Sequence, residues 1–153
     1  MKIVAFMQNM WLKNPDSFHR NMAGIKDVAE KEKYRRRIIH YALFAGCLTG
    51  RRLKYAFEED VCRRIIWEES TREIASDPRK IFPAQPEHIK AVLEIEKPDV
   101  VITFGKIASN ALAPLWKGRI VTCIHPAARD PLILSKLKIA AEDLKTRQQS
   151  LAL

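Results

Sequence analysis

Four short apolar runs mark the chain, and each ends abruptly on polar or special residues. KIVAFM (2–7) gives way to Gln8 and Asn9, and RRIIW (63–67) runs into Glu68, Glu69 and Ser70. DVVITFG (99–105) closes on a glycine, and RIVTCI (119–124) halts at His125 and Pro126. Short, β-prone runs with little alternation predict strands covered on both faces. Between them the spacing turns helical. From Asp27 to Phe44, Val28, Ile38, Ile39 and Leu43 interrupt a strongly charged stretch, which predicts a helix with a basic outer face. Pro86 stands at a first helical position, Ile89, Val92 and Leu93 continue the apolar stripe, and Pro98 stops it. KIASNALAPLW opens a helix directly after Gly105, and residues 131–150 form a long amphipathic terminal helix. Asn14 and Pro15 read as a loop, and Gly46 and Gly50 as a turn before a short helix near 50–57.

Strand, glycine, helix, strand is the grammar of an α/β domain: a parallel sheet with helices on both faces and ligands at the carboxyl ends of its strands. Asn9, Glu68, Gly105 and His125 all fall at such ends, so they are expected to converge on one crevice. The 153 residues suit a single domain, 1–153.

Composition sharpens this picture in three places. Lys and Arg number 27 against 18 Asp and Glu, a net charge of +9, clustered in KEKYRRR (31–37), RRLK (51–54) and Arg63–Arg64. A polyanion is the partner such clustering suits, although any one cluster also suits a solvated helix face. Cys47, Cys62 and Cys123 are odd in number and widely spaced, which argues against a disulfide framework or a metal site and predicts reduced, partly buried thiols. No run reaches the roughly eighteen apolar residues of a membrane span, and Gln8 and Asn9 break the first run where a signal peptide would continue, so a cytoplasmic protein is expected.

The late motifs carry a resemblance. PEHIKAVLEIEKPDVVITFGKIASNAL followed by IVTCIHPAAR resembles the carboxyl-terminal half of the uracil-DNA glycosylase superfamily, where a helix, a strand ending in glycine, a small-residue helix and a His-Pro-Ser type loop follow in this order. LFAGCLTGRRL resembles the family's Pro-Phe-x-Gly-x-Ser-Gly-x-x-Leu segment with one residue inserted, and FMQNMW stands where some branches carry Gly-x-Asn-Pro. The resemblance implies a three-layer α/β/α domain with a short four-stranded parallel sheet. It also implies a hydrolase that flips a damaged or unusual base from single- or double-stranded DNA and cleaves its N-glycosidic bond, with no cofactor and no metal.

Residue by residue, the resemblance implies that His125 donates a hydrogen bond to the charge developing on the leaving base, the kind of stabilisation preorganised donors supply. It implies that Asn9 orients the attacking water and that Phe44 stacks on the extruded base. Gln8 and Glu68 would contact the base, while Arg51, Arg52, Lys106 and Arg129 would meet the DNA. Each has a plainer reading: His125 as a strand cap, Asn9 as a turn cap, Phe44 as core, Arg129 as a surface arginine. Three departures stand out. Alanine replaces the serine after His-Pro, Met7 and Met10 occupy the first motif's glycine and proline places, and Glu68 stands where many members carry an asparagine that reads uracil. An ionised carboxylate only accepts hydrogen bonds, so Glu68 opposes a uracil carbonyl unless burial protonates it, or unless Glu69 is the counterpart. Two other functions fit the sequence: a non-catalytic nucleic-acid-binding protein that retains the fold, and a phosphate binder using Gly105 and Lys106.

Overall fold

Strand β1 (Ile3–Met7) is buried along its whole length, because it lies inside the sheet with helices above and below. Its parallel neighbours are β2 (Ile66–Glu69) on one side and β3 (Val100–Phe104) on the other, and β4 (Arg119–Cys123) adds to β3, giving the order β2-β1-β3-β4. The computed structural model describes residues 1–152, with side chains up to residue 150. The architecture is a three-layer α/β/α arrangement around a four-stranded parallel sheet, as the run pattern predicts.

Side-chain alternation along the strands divides the core into two halves. Ile3, Ala5, Met7, Trp67, Ile102 and Phe104 point to one face, where α2 (Val28–Phe44), α3 (Leu48–Phe57) and α7 (Ile133–Ala152) cover them. Val4, Phe6 and Val101 point to the other, against Ile89, Val92 and Leu93 of α5 (Pro86–Glu96) and Ala108 and Leu112 of α6 (Lys106–Leu112). An aromatic chain fastens the first face: Phe57 meets Phe104 at 5.9 Å between ring centroids, Phe104 meets Trp67 at 5.8 Å, and Trp67 meets Phe44 at 5.4 Å. Edge-to-face and offset pairs of this kind add about 0.5–1.5 kcal/mol each beyond area burial.

Two sequence expectations need correction. Residues 14 and 15 do not form a loop; they start α1 (Pro15–Gly24), with the Asn14 side chain accepting from the Ser17 N–H at 3.2 Å and Pro15 at the first position. A proline there is preset for the helix and gives up an N–H that had no partner. Residues 63 and 64 are not strand but the end of α4 (Glu59–Arg64), a short helix with Glu59 and Asp60 in its first turn and Arg63 and Arg64 in its last, the polarity the helix dipole favours. Glu58, at φ 68°, breaks the chain between α3 and α4. Strand β2 therefore begins at Ile66 and carries Glu68 and Glu69 within it.

Candidate active-site crevice

The chain leaves β1 towards β2 on one side and returns to β3 on the other, so the carboxyl ends of β1 and β3 form the switch point of the sheet, where open α/β proteins build their sites. Gln8 and Asn9 follow β1, Glu69 ends β2, Gly105 follows β3, and His125 lies just past β4. Gly105 lets these ends close together. Its φ of +90° is one that glycine adopts readily, and an added Cβ would meet Gln8 Nε2 and His125 Cβ, both at 3.3 Å.

Two adjoining cavities result, and Gln8 and His125 belong to both. The first, about 350 Å³, runs between the end of β1 and helices α2 and α3. Asn9, Glu69, Met7, Met10, Ile39 and Leu43 line it. That volume lies within the roughly 300–1,000 Å³ of small-ligand sites. The second, about 540 Å³, opens over Gly105, Lys106 and Ser109. Gly50 sets the wall between α2 and α3: a Cβ there would lie 1.9 Å from the Leu43 carbonyl oxygen, so only glycine allows this approach.

His125 has a defined tautomer. Its Nδ1 accepts from the Ala127 N–H at 3.1 Å, and burial lowers the ring's pKa below its ordinary value. The neutral ring therefore carries its proton on Nε2 and brings an N–H donor to the cavities. Arg52 fixes the loop behind it, with Nη1 donating to the Pro126 carbonyl at 2.6 Å and to that of Ala128 at 3.4 Å. Arg52 thus positions the His125 loop from within the protein. Arg51, Lys106 and Arg129 are exposed, Lys106 at the lip of the second cavity.

Asn9 lines the first cavity, but its amide is largely engaged. Oδ1 accepts from the Phe82 N–H at 2.9 Å, and Nδ2 donates to the carbonyls of Lys80 at 3.2 Å and Met10 at 3.4 Å. It pins the segment of residues 70–85 over the crevice, helped by backbone hydrogen bonds between Leu12 and Ala75 and between Ala75 and Met10. Lys80 and Ile81 of that segment reach the cavity wall.

Glu68 does not face the crevice. It is fully buried on the opposite side of β2, where Arg35 Nη1 donates to it at 2.7 Å and Arg36 Nε at 3.0 Å, with His88 Nε2 at 3.6 Å. Burial works against its charge, but His88, Arg35 and Arg36 outweigh it and hold the carboxyl at about 2. Glu68 is the ionised centre of a structural cluster, which also joins Arg36 to Glu96 at 2.7 Å. Phe44 also lies elsewhere. Its ring packs on Trp67 and on His40 at 4.8 Å, and it lines a separate cleft behind α2.

Glu69 takes the place expected of Glu68. It is 7% exposed, lines the first cavity, and its Oε2 is the one buried side-chain nitrogen or oxygen without a hydrogen-bond partner among the described residues. Burial raises its pKa most strongly, Arg35 opposes this, and Glu68 adds to it, leaving Glu69 at about 8 and neutral at pH 7. A neutral carboxyl offers one donor and one acceptor side by side, the hydrogen-bonding pattern of an amide. The aromatic ring on the cavity wall is Trp11, 46% exposed. Sequence reasoning missed Trp11, and the only signal was its place at the end of FMQNMW.

The cysteines are free. Cys47 is exposed, contrary to the expectation of a partly buried thiol, and caps α3 by accepting from the Gly50 N–H at 3.4 Å. Burial pushes Cys62 up to about 12 and Cys123 to about 11. Among the described residues there is no group of three or more His, Cys, Asp and Glu placed to hold a metal ion, and no helix long and apolar enough to cross a membrane. No protein-family model matches the chain, and no curated protein matches it.

Proposed function

We propose that the crevice holds a nucleobase extruded from DNA and hydrolyses its N-glycosidic bond. One observation carries this reading: the unpartnered neutral carboxyl of Glu69 and the imidazole of His125 line a single cavity of small-ligand size. The carboxyl pairs with a base edge that sets an N–H beside a carbonyl, as uracil and hypoxanthine do. With Glu68 engaged elsewhere, its negative charge no longer argues against a uracil-type edge. His125 then donates Nε2–H to a carbonyl oxygen on which charge develops as the bond to C1′ breaks. The bond's electron pair leaves with the base, water adds its oxygen to the oxocarbenium-like C1′, and the water's proton ends on the released base or in solvent. A preorganised donor at the oxyanion contributes roughly 2.7–4 kcal/mol, two to three decades in rate. Asn9 retains one acceptor lone pair on Oδ1, enough to orient a water. Arg51, Lys106 and Arg129 supply exposed positive charge for the phosphates.

A second reading has its own support. Because the Asn9 amide is committed to Lys80 and Phe82, the crevice also suits a module that binds a base without cleaving it. The deciding experiment treats single-stranded and duplex oligonucleotides containing uracil, hypoxanthine, xanthine or a modified pyrimidine with the protein and then with alkali. Strand scission at the modified position supports hydrolysis. Salt-sensitive binding with every strand intact supports the binding module.

A further inference from the structure

A second cleft, about 340 Å³, lies behind the crevice wall, formed by the ends of α2 and α3 and by α4. Its walls combine three rings, His40, Tyr41 and Phe44, with two cations, Lys54 and Arg63. Tyr41 is 69% exposed, so its ring is open to a partner at the mouth of the cleft. Lys54 Nζ sits 5.8 Å from the centre of the Phe44 ring and has no carboxylate partner among the described residues. The single acid of the cleft, Glu59, is held by Arg63 at 2.7 Å. Positive charge is therefore in excess, and His40 registers it: after burial, Lys54 and Arg63 are what push its pKa below the ordinary value.

We propose that this cleft binds single-stranded nucleic acid, stacking one base on the rings of His40, Tyr41 and Phe44 while the adjoining phosphate meets Lys54 and Arg63. Rings set beside an excess of positive charge are the means by which proteins hold single strands without reading sequence. Here Lys54 is the cation free of a carboxylate among the described residues, while Arg63 shares its charge with Glu59. The same two helices line both places: Ala42, Leu43 and Leu48 face the crevice, while Tyr41, Phe44 and Lys54 face the cleft. A strand delivering a base to the crevice would be gripped here on its flank. The inference rests on nucleic acid being the partner of the crevice, but not on hydrolysis.

The test measures binding of a fluorescent oligothymidylate by anisotropy at low salt, with Tyr41→Ala and Lys54→Gln compared against the unaltered protein. Both residues are partly or fully exposed, so the variants are expected to fold, and circular dichroism checks this. Tyr41→Ala should weaken binding about five-fold or more, as loss of a stacked base does. Lys54→Gln should lower the salt slope by about 0.7, the share of one phosphate on a single strand. In the unaltered protein, the His40 C2–H resonance should titrate at higher pH once the oligomer is bound. Unchanged affinity in both variants, or a His40 titration indifferent to the oligomer, overturns the proposal even if base release from oligonucleotides is observed. Equal affinity for thymidine monophosphate and for the oligomer also overturns it, since the site would then serve a free nucleotide. If no oligomer binds even at low salt, the nucleic-acid reading of the crevice falls with it.

Discussion

Glu68 and Glu69 are consecutive on one strand and hold opposite protonation states at neutral pH. Strand alternation sends Glu68 towards Arg35 and Arg36 and Glu69 into the crevice. Two solutions to the cost of a buried carboxyl thus stand side by side, one ion-paired and the other protonated.

Replacing Glu68 by alanine leaves the buried Arg35 guanidinium without its main partner, so the expected loss is roughly 3–5 kcal/mol of stability, measured by urea unfolding. The pH dependence follows in sign. The folded-state pKa of Glu68, about 2, lies below its ordinary 4.5, so its contribution is complete above pH 4.5 and is lost as pH falls towards 2. The variant should lack this acid limb.

Glu69 works in the opposite direction. Its folded pKa of about 8 lies above 4.5, so between these values the unfolded chain has lost a proton that the folded protein keeps. Stability attributable to Glu69 therefore falls as pH rises from 4.5 to 8 and levels off above 8. Glu69→Gln removes this dependence and keeps the donor and acceptor pattern, so it should raise the unfolding midpoint at pH 7.5 by an amount worth a few kcal/mol. Unfolding curves at pH 5 and pH 7.5 that shift equally in both proteins would contradict the assignment.

Nitrogen NMR of the His125 ring should show Nδ1 unprotonated and Nε2 protonated at pH 7, because Nδ1 accepts from Ala127. Protonation of Nδ1 breaks that hydrogen bond, so the Ala127 amide should shift with the same midpoint as the ring, below 6.5. Because the folded pKa is lowered, the unfolded chain takes up this proton first, and stability declines as pH falls through 6.5.

Arg52→Ala frees the carbonyls of Pro126 and Ala128 and should slow base release while oligonucleotide affinity is retained, the signature of a residue that positions His125. Asn9→Ala should cost about 1–3 kcal/mol and speed hydrogen exchange at the Phe82 amide, which loses its acceptor.

The strands and their polar ends were legible because buried parallel strands are short apolar runs, and DVVITFG and RIVTCI have few other readings. The convergence of residues 9, 105 and 125 followed from topology alone, whereas Glu68, expected to join them, turns to Arg35 and Arg36 instead. Side-chain direction was not legible to the same degree. Glu68 and Glu69 differ by one residue, and in a strand one residue reverses the face. The residue inserted in LFAGCLTGRRL likewise loosened the match in which Phe44 was given the stacking role; the helix turns Leu43 to the crevice and Phe44 away from it. Asn9 finds its partners at Lys80 and Phe82, more than seventy positions along, and nothing local announces them. Arg52 was read as part of a charge cluster because its role depends on carbonyls of a distant loop.

The most direct test of the account is single-turnover release of free base, detected by mass spectrometry, from oligonucleotides carrying uracil or hypoxanthine. The unaltered protein should release the base, His125→Ala should be slower by two to three decades, and Glu69→Ala should lose preference among bases. Release that is unchanged in His125→Ala, or no release from any substrate by the unaltered protein, would contradict it.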